Sequence, residues 1–281
     1  MSNYQPHQYK TMNKHQLKKV HYGNDSQQFA HLYTPSHKEK LTAVVIVIHG
    51  GYWKDNHTLE TYATSAIVDY LQGFNVAIWN LEYRRMDSVG DNIKAPWPAT
   101  FKDIAAGIDM LQHISLEEGL DLSRILLIGH SAGGHLATWA ASRAKISPSS
   151  PLFSPQALAI RNVISISGIL DLTAADDLEQ PQQIHRLMGG TPKDFPERYQ
   201  ACNPSDLPAM HLNLTLVHGE LDTCVKIAQL KRYKEQTSQD IKQISIPNAD
   251  HFSMLPHEGN WQESHWVVIK QLIADEIDAL A

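Results

Sequence analysis

The chain has 281 residues, with 24 basic and 30 acidic side chains and a net charge of −6 when histidine is neutral. No dense run of Lys or Arg offers a surface to a phosphate backbone, which argues against nucleic acid as a partner. Two cysteines are too few for a disulfide framework, and the longest apolar run, 43–48, is far too short to span a membrane. Since residues 1–40 lack the apolar core of a secretory signal, we expect a soluble, cytoplasmic protein with no membrane partner.

Buried strands are predicted to alternate with helices along most of the chain. Aliphatic runs without polar alternation are typical of parallel strands covered on both faces. We predict strands at 43–48, 76–79, 125–128, 163–166, 214–217 and 241–246, and helices at 62–71, 101–116, 132–144, 225–236 and 261–280. Two alternating segments ahead of them, 17–22 and 28–33, predict an antiparallel edge hairpin. The pattern predicts an α/β fold, a mostly parallel twisted sheet with helices on both faces.

The segment at about 170–212 interrupts this alternation. It contains five prolines and a Gly-Gly pair, too many breakers for core helices. We therefore predict a small inserted cap of short helices lying over one edge of the sheet. No linker composition divides the chain, so residues 1–281 are predicted to form one domain.

The sequence Gly-His-Ser-Ala-Gly at 129–133 lies directly between a predicted strand and a predicted helix. A serine at such a sharp turn presents its hydroxyl above the sheet, and the small residues on either side let the turn close. This context predicts that Ser131 is a nucleophile and that the N–H of Ala132 helps to form an oxyanion hole. The alternative is a glycine-bearing turn with a solvated serine.

The sequence His-Gly-Gly-Tyr-Trp at 49–53 follows an earlier predicted strand. A glycine loop at that position can turn its N–H groups toward the oxyanion of a tetrahedral intermediate. Gly51 and Tyr52 are the predicted donors. The alternative is a tight turn in which Trp53 only fills a gap in the core.

A nucleophilic serine needs a base and an orienting carboxylate, in the chain order Ser, Asp or Glu, His. Asp222 follows the predicted strand 214–217, at the edge where ligand sites of α/β sheets lie. His251 lies in the last loop before the final helix. Glu220 and His257 are the rivals, the first expected to brace its loop and the second to lie exposed.

The other histidines and the cysteines are expected to have supporting roles. His49 is predicted to fold under the glycine loop and His130 to pack into the serine turn. His130 and His135 are five residues apart rather than four, which does not favour a metal site. Cys202 and Cys224 are expected to be packing residues, although Cys224 could line the site.

With these motifs assembled, the sequence resembles the α/β-hydrolase superfamily over essentially its whole length. The H-G-G-x-W loop at 49–53 and the G-H-S-A-G-G-H-L run at 129–136 are similar to the kynurenine formamidase branch and its esterase relatives. The run Glu-Tyr-Arg at 82–84, followed by Pro98 and Asp103, is similar to the wider esterase group, in which we interpret it as locking the loop under the site.

The resemblance implies serine hydrolysis of a small-molecule formamide or ester, through an acyl-enzyme and without a cofactor or metal. The first expectation is hydrolysis of N-formyl-kynurenine to kynurenine and formate. Tyr52, Trp53 and Trp97 could contact the ring of that substrate and Arg186 its carboxylate.

The alternative enzyme is a carboxylesterase for short or aromatic acyl esters, with the 170–212 segment shaping the acyl pocket. A protein of another class, an inactive hydrolase fold used for binding, remains open, as does a homodimer formed through the last helix.

Overall fold

One eight-stranded sheet organises the residues that the computed structural model describes, which are 15–36, 41–87, 97–207, 212–237, 241–257, 259 and 261–280. The strands are β1 (His15–His21), β2 (Phe29–Pro35), β3 (Thr42–Ile48), β4 (Ala77–Leu81), β5 (Leu120–His130), β6 (Asn162–Ile166), β7 (Asn213–Gly219) and β8 (Lys242–Ile246). Their order across the sheet is β1-β2-β4-β3-β5-β6-β7-β8. All pairs are parallel except β1 with β2 and β2 with β4. The predicted mostly parallel sheet with an antiparallel edge hairpin is confirmed.

Helices cover both faces of this sheet. They are α1 (Ser65–Leu71), α2 (Ala99–Glu118), α3 (Ala132–Ala141), α4 (Pro181–Met188), α5 (Pro196–Cys202), α6 (Ala228–Gln236) and α7 (Glu263–Ala279). The fully buried strand β3 shows why both faces need cover, because its alternate residues belong to two separate apolar cores. Val45 and Val47 pack with α1 and α7, whereas Val44 and Ile46 pack with α2 and α3. Among the described helices, none is long and apolar enough to cross a membrane.

Local hydrogen bonds account for most differences from the predicted bounds. Helix α1 begins at Ser65 rather than at residue 62 because the preceding residues form turns around the Thr58 side chain, which accepts from Glu60 and Thr61 N–H. Helix α6 begins at Ala228 rather than at 225 because Val225 N–H is bound to Asp222 Oδ1. Both differences place irregular backbone beside the carboxyl ends of the strands.

The described part of the 170–212 segment consists of α4, α5 and two short 3-10 turns at Ala175–Asp177 and Pro204–Asp206. Several contacts hold it to the sheet-forming part of the chain. Leu178 forms a β-bridge with Val225, Gln229 donates to the carbonyl of Asp171, and His135 donates to the carbonyl of Cys202. Residues 208–211 of the predicted cap lie outside the described residues.

Candidate active site

Ser131 lies at a strained turn between β5 and α3. Its φ of +57° is in the left-handed region, which L residues other than glycine rarely adopt. The glycines on either side make this turn possible: a Cβ at Gly129 would collide with the carbonyl of Gly133, and one at Gly133 with the carbonyl of Ile48. Ser131 N–H donates to Ile166 O at 2.9 Å, which ties the turn to β6. As the first residue of α3, Ala132 has an N–H with no acceptor inside the helix, so this donor is available to a bound oxyanion.

The glycine loop after β3 lies against this turn. Three consecutive residues of the loop, Gly51, Tyr52 and Trp53, have positive φ values of 101°, 50° and 56°. Lys54 N–H closes the loop by donating to Gly51 O at 2.9 Å, and Met86 N–H donates to Trp53 O at 2.8 Å. Gly51 and Tyr52 line the same cavity as Ser131, which places the predicted oxyanion donors beside the predicted nucleophile.

Buried hydrogen bonds of His49 support the loop from below. His49 donates from Nδ1 to Gly50 O and from Nε2 to Glu82 Oε1, both at 2.9 Å. Each ring nitrogen therefore faces an acceptor oxygen. Burial would raise the pKa of Glu82, but His49 and Arg85 lower it below its usual value. Tyr83 stacks on His49 and donates its hydroxyl proton to His49 O at 2.9 Å.

The neighbouring ion pair between Arg84 and Asp103 joins the same segment to α2. Two side-chain hydrogen bonds link them, Nη2 to Oδ1 at 2.7 Å and Nε to Oδ2 at 2.8 Å, and Arg84 N–H also donates to Oδ2 at 3.0 Å. The interpretation of the Glu-Tyr-Arg run as a brace for the loop agrees with these contacts.

Asp222 and His251 are brought together from loops after β7 and β8. His251 Nδ1 donates to Asp222 Oδ2 at 2.7 Å, and both side chains are buried. Because Nδ1 carries this proton, Nε2 of the neutral ring carries the lone pair. Burial would raise the pKa of the Asp222 carboxyl, but His251 and His218 lower it below its usual value. Of the two rivals, Glu220 is exposed, and His257, which was expected to lie exposed, is partly buried.

Tyr62 and His130 form a second link between the serine turn and the His251 loop. His130 Nε2 lies 2.9 Å from His251 O, which can only accept, so Nε2 carries the proton. Nδ1 is then an acceptor, and the Tyr62 hydroxyl donates to it at 2.8 Å. Burial, together with the neighbouring His251, lowers the pKa of His130 to about 3, which keeps the ring neutral. Sequence reasoning placed His130 in the turn but missed Tyr62, because nothing in the predicted helix 62–71 indicated that Tyr62 contacts the site.

The cavity beside Ser131 has a volume of about 140 Å³. Its lining combines aromatic, polar and charged side chains: Gly51, Tyr52, Lys54, His57, Tyr62, Ser131, Glu179, Gln180, Cys224, His251 and Phe252. Sequence reasoning missed most of this wall, because its members come from separate loops that no single motif identifies.

Three side chains that were expected to contact substrate lie elsewhere. Trp53 is fully buried and packs edge-on against His135, because the left-handed turn directs it into the core. Trp97 lines a different cavity and donates to Cys202 Sγ at 3.2 Å. Arg186 donates to Asp87 O at 2.8 Å and to Gln183 Oε1 at 3.0 Å rather than lining the Ser131 cavity. The core position that was the alternative for Trp53 is therefore the one observed.

Both cysteines are free thiols. Burial, and to a lesser extent Glu179, raises the pKa of Cys224 to about 12. This cavity-lining thiol therefore stays protonated and is a poor nucleophile. Burial also raises the pKa of Cys202. Within the described ranges, no group of three or more His, Cys, Asp or Glu side chains could hold a metal ion.

A parallel sheet with a serine turn after β5, an acid after β7 and a histidine after β8 defines an α/β hydrolase. Residues 30–236 match the model of the BD-FAE family, so the chain belongs to this family of α/β-hydrolase esterases. The matched region contains Ser131 and Asp222 and ends before His251.

Known relatives are esterases. Esterase LipQ of Mycobacterium tuberculosis is 27% identical over 170 residues, which cover 56% of this chain and 39% of LipQ, so the chain spans about two fifths of that protein. A truncated carbohydrate esterase from gut microbiota has a similar structure, with a TM-score of 0.75, 19% identity and coverage of 95% of this chain and 99% of that one. Esterase B of Lactobacillus rhamnosis, inhibited by a tributyrin phosphonate, has a TM-score of 0.73, 20% identity and coverage of 95% and 86%. At these identities the structural matches establish the fold.

Proposed function

We propose that the protein is a carboxylesterase that hydrolyses small esters with Ser131, His251 and Asp222. The observation that carries this proposal is the 2.7 Å hydrogen bond from His251 Nδ1 to Asp222 Oδ2, at the cavity that Ser131 also lines from its strained turn. The esterase family and the esterase relatives support an ester as substrate.

In the first half of the reaction, Ser131 Oγ attacks the ester carbonyl while His251 Nε2 takes the hydroxyl proton. The negative charge moves to the carbonyl oxygen, and Asp222 stabilises the imidazolium. The C–O bond then breaks, and the leaving alkoxide takes the proton from His251. Water repeats the sequence on the acyl-enzyme and releases the carboxylic acid and Ser131.

The oxyanion is stabilised by backbone donors that the fold fixes before substrate arrives. Ala132 N–H at the start of α3 is one, and the N–H groups of Gly51 and Tyr52 are the others. Removing one such donor costs about 3 kcal/mol of transition-state stabilisation in comparable enzymes. The buried His49 and Glu82 pair contributes by fixing the loop that carries two of them.

The cavity favours a short acyl or alcohol group. Its volume of about 140 Å³ is well below the range of about 300–1,000 Å³ that is usual for drug-sized ligands, and near the roughly 150 Å³ that accommodates benzene. We therefore expect acetyl to butyryl esters to be better substrates than long-chain esters.

The experiment compares p-nitrophenyl esters of two to twelve acyl carbons with N-formyl-kynurenine, using the native enzyme and Ser131→Ala. We expect the highest kcat/KM for the shortest esters and a fall in kcat of about 10⁴-fold or more in the variant. A fluorophosphonate should label the native enzyme and not Ser131→Ala. Labelling that persists in the variant would contradict the role of Ser131.

The same assay tests the formamidase activity that the H-G-G-x-W motif suggested. The esterase family match favours the ester, and Arg186, the group expected to bind the kynurenine carboxylate, does not face the cavity. Turnover of N-formyl-kynurenine above that of every ester would replace the carboxylesterase proposal with a formamidase.

A further inference from the structure

Lys54 brings a positive charge into the wall of the Ser131 cavity. Its ammonium donates to Gln180 Oε1 at 3.2 Å, and no ion pair involving it is present among the described residues. A neutral amide orients the ammonium without cancelling its charge, which leaves donors of Lys54 for a bound group.

The side chain of Lys54 is not needed to hold the glycine loop. The backbone does this, because Lys54 N–H donates to Gly51 O and the residue forms a β-bridge with Met86. The ammonium donates to an uncharged amide, so this contact leaves its charge uncompensated.

Several basic groups act on the cavity residue His57, although the net charge of the chain is −6. Burial lowers the pKa of the neighbouring His57, and the charges of His49, His257, Lys54 and Arg85 lower it further. Three acidic groups act on the cavity-lining Cys224. Asp222 is bound to His251, Asp250 accepts from the N–H groups of Phe252 and Ser253, and Glu179 is exposed to solvent, which screens its charge.

We propose that the substrate of this site carries a carboxylate, which Lys54 binds while Ser131 attacks the ester carbonyl. Gln180 is a positioning residue that directs the ammonium. This inference rests on the proposed esterase function and narrows its substrate class to anionic esters.

The test compares anionic and neutral esters of matched shape. One pair, 4-acetoxybenzoate and its methyl ester, places the charge on the alcohol side, and another, monomethyl and dimethyl succinate, places it on the acyl side. The measured quantity is the ratio of kcat/KM for the anionic and the neutral member, in the native enzyme, Lys54→Met and Lys54→Arg. Lys242→Met, which removes an exposed lysine paired with Glu276, is the matched control.

We expect the native ratio to exceed one for at least one pair, because a charge-assisted hydrogen bond favours the anion. Lys54→Met should lower that ratio roughly tenfold, mainly through KM, Lys54→Arg should restore most of it, and Lys242→Met should leave it unchanged. Ratios that are equal in the native enzyme and Lys54→Met would overturn the proposal.

A binding measurement separates this proposal from the proposed function. In Ser131→Ala, calorimetry should show tighter binding of the anionic than of the neutral ester in at least one of the two pairs, and the added Lys54→Met change should remove the difference. If no ester is hydrolysed by the native enzyme but this difference is found, the carboxylate site stands and the esterase proposal fails. Hydrolysis of neutral esters without any difference in binding would leave the esterase and overturn the carboxylate site.

Discussion

The backbone around Ser131 and the side chains of the adjoining cavity are built in different ways. The first region, the serine turn 129–133 with the glycine loop 49–53, is largely buried, and its shape depends on glycines and strand ends. The second region, the cavity wall, takes residues such as Lys54, Gln180 and Phe252 from separate loops, and all three have some exposure to solvent.

We expect the first region to determine the rate of the chemical step and the second to determine which substrates are accepted. A donor for an oxyanion must be fixed before the charge develops, and buried backbone held by neighbouring strands provides that rigidity. Selectivity can be carried by exposed side chains, since a single charge or methyl group changes which substrate fits. We therefore expect substitutions in the first region to affect folding and every substrate, and those in the second to affect substrates unequally.

The largest effect on stability is expected for Glu82→Gln, beneath the glycine loop. Glu82 accepts from His49 Nε2, from Leu59 N–H and from Tyr83 N–H, and it is paired with Arg85. Glutamine has the same shape, but its NH₂ group must face one of these donors, and the buried Arg85 loses its counterion. We expect the free energy of unfolding to fall by about 3 kcal/mol or more, measured by urea denaturation.

The control for this change is Glu117→Gln, which removes an exposed partner of Lys18. Its effect on stability should be below about 0.5 kcal/mol, because exposed ion pairs contribute little. Equal stabilities of the two variants would mean that the buried pair does not hold the loop.

The two regions also differ in how well the sequence predicts them. The ends of the strands near His49, His130 and Gly219 are predicted to within a few residues, because uninterrupted apolar runs fit strands that are buried on both faces. The approach of Asp222 to His251 follows from the parallel order of β7 and β8, since both carboxyl ends meet at one edge of the sheet.

The cavity wall could not be predicted because it depends on the directions of side chains in irregular backbone. Trp53 shows this most clearly. An aromatic residue beside the glycine loop can point to the substrate or to the core, and only the left-handed φ of the loop decides for the core. Tyr62 lies just before α1, where nothing in the local sequence indicates that its hydroxyl reaches His130.

A medium effect on stability is expected from pH, through His130 in the first region and His135, which lies two residues beyond it in α3. Burial lowers the pKa of His135 to about 4 and that of His130 to about 3, against about 6.5 in an unfolded chain. Between pH 6.5 and 4 the unfolded chain therefore binds protons that the folded protein does not, so the free energy of unfolding falls as the pH falls. At pH 5.0 each of these histidines should contribute roughly 2 kcal/mol of this loss relative to pH 7.5.

The variant His135→Gln tests this sign. Its loss of stability between pH 7.5 and 5.0 should be smaller than that of the native protein by roughly 2 kcal/mol, whereas replacement of the exposed His21 by Gln should leave the native difference. The carboxyls of Glu82 and Asp222 have lowered pKa values, so their stabilisation is lost only at lower pH, below roughly 4. A native-sized pH difference in His135→Gln would contradict the assignment of a buried neutral ring.

The smallest effect is expected where the two regions meet, because Tyr52 of the glycine loop donates from Oη to Cys224 O in the cavity wall at 3.0 Å. Tyr52→Phe removes this hydrogen bond, and we expect the free energy of unfolding to fall by about 1 kcal/mol and kcat/KM for small esters to fall by up to about fivefold. Cys224→Ser keeps the accepting carbonyl and replaces a thiol that is already protonated, so kcat/KM should change by less than about twofold. If Cys224→Ser were instead the more damaging change, the thiol rather than the backbone of Cys224 would be the group that the cavity needs.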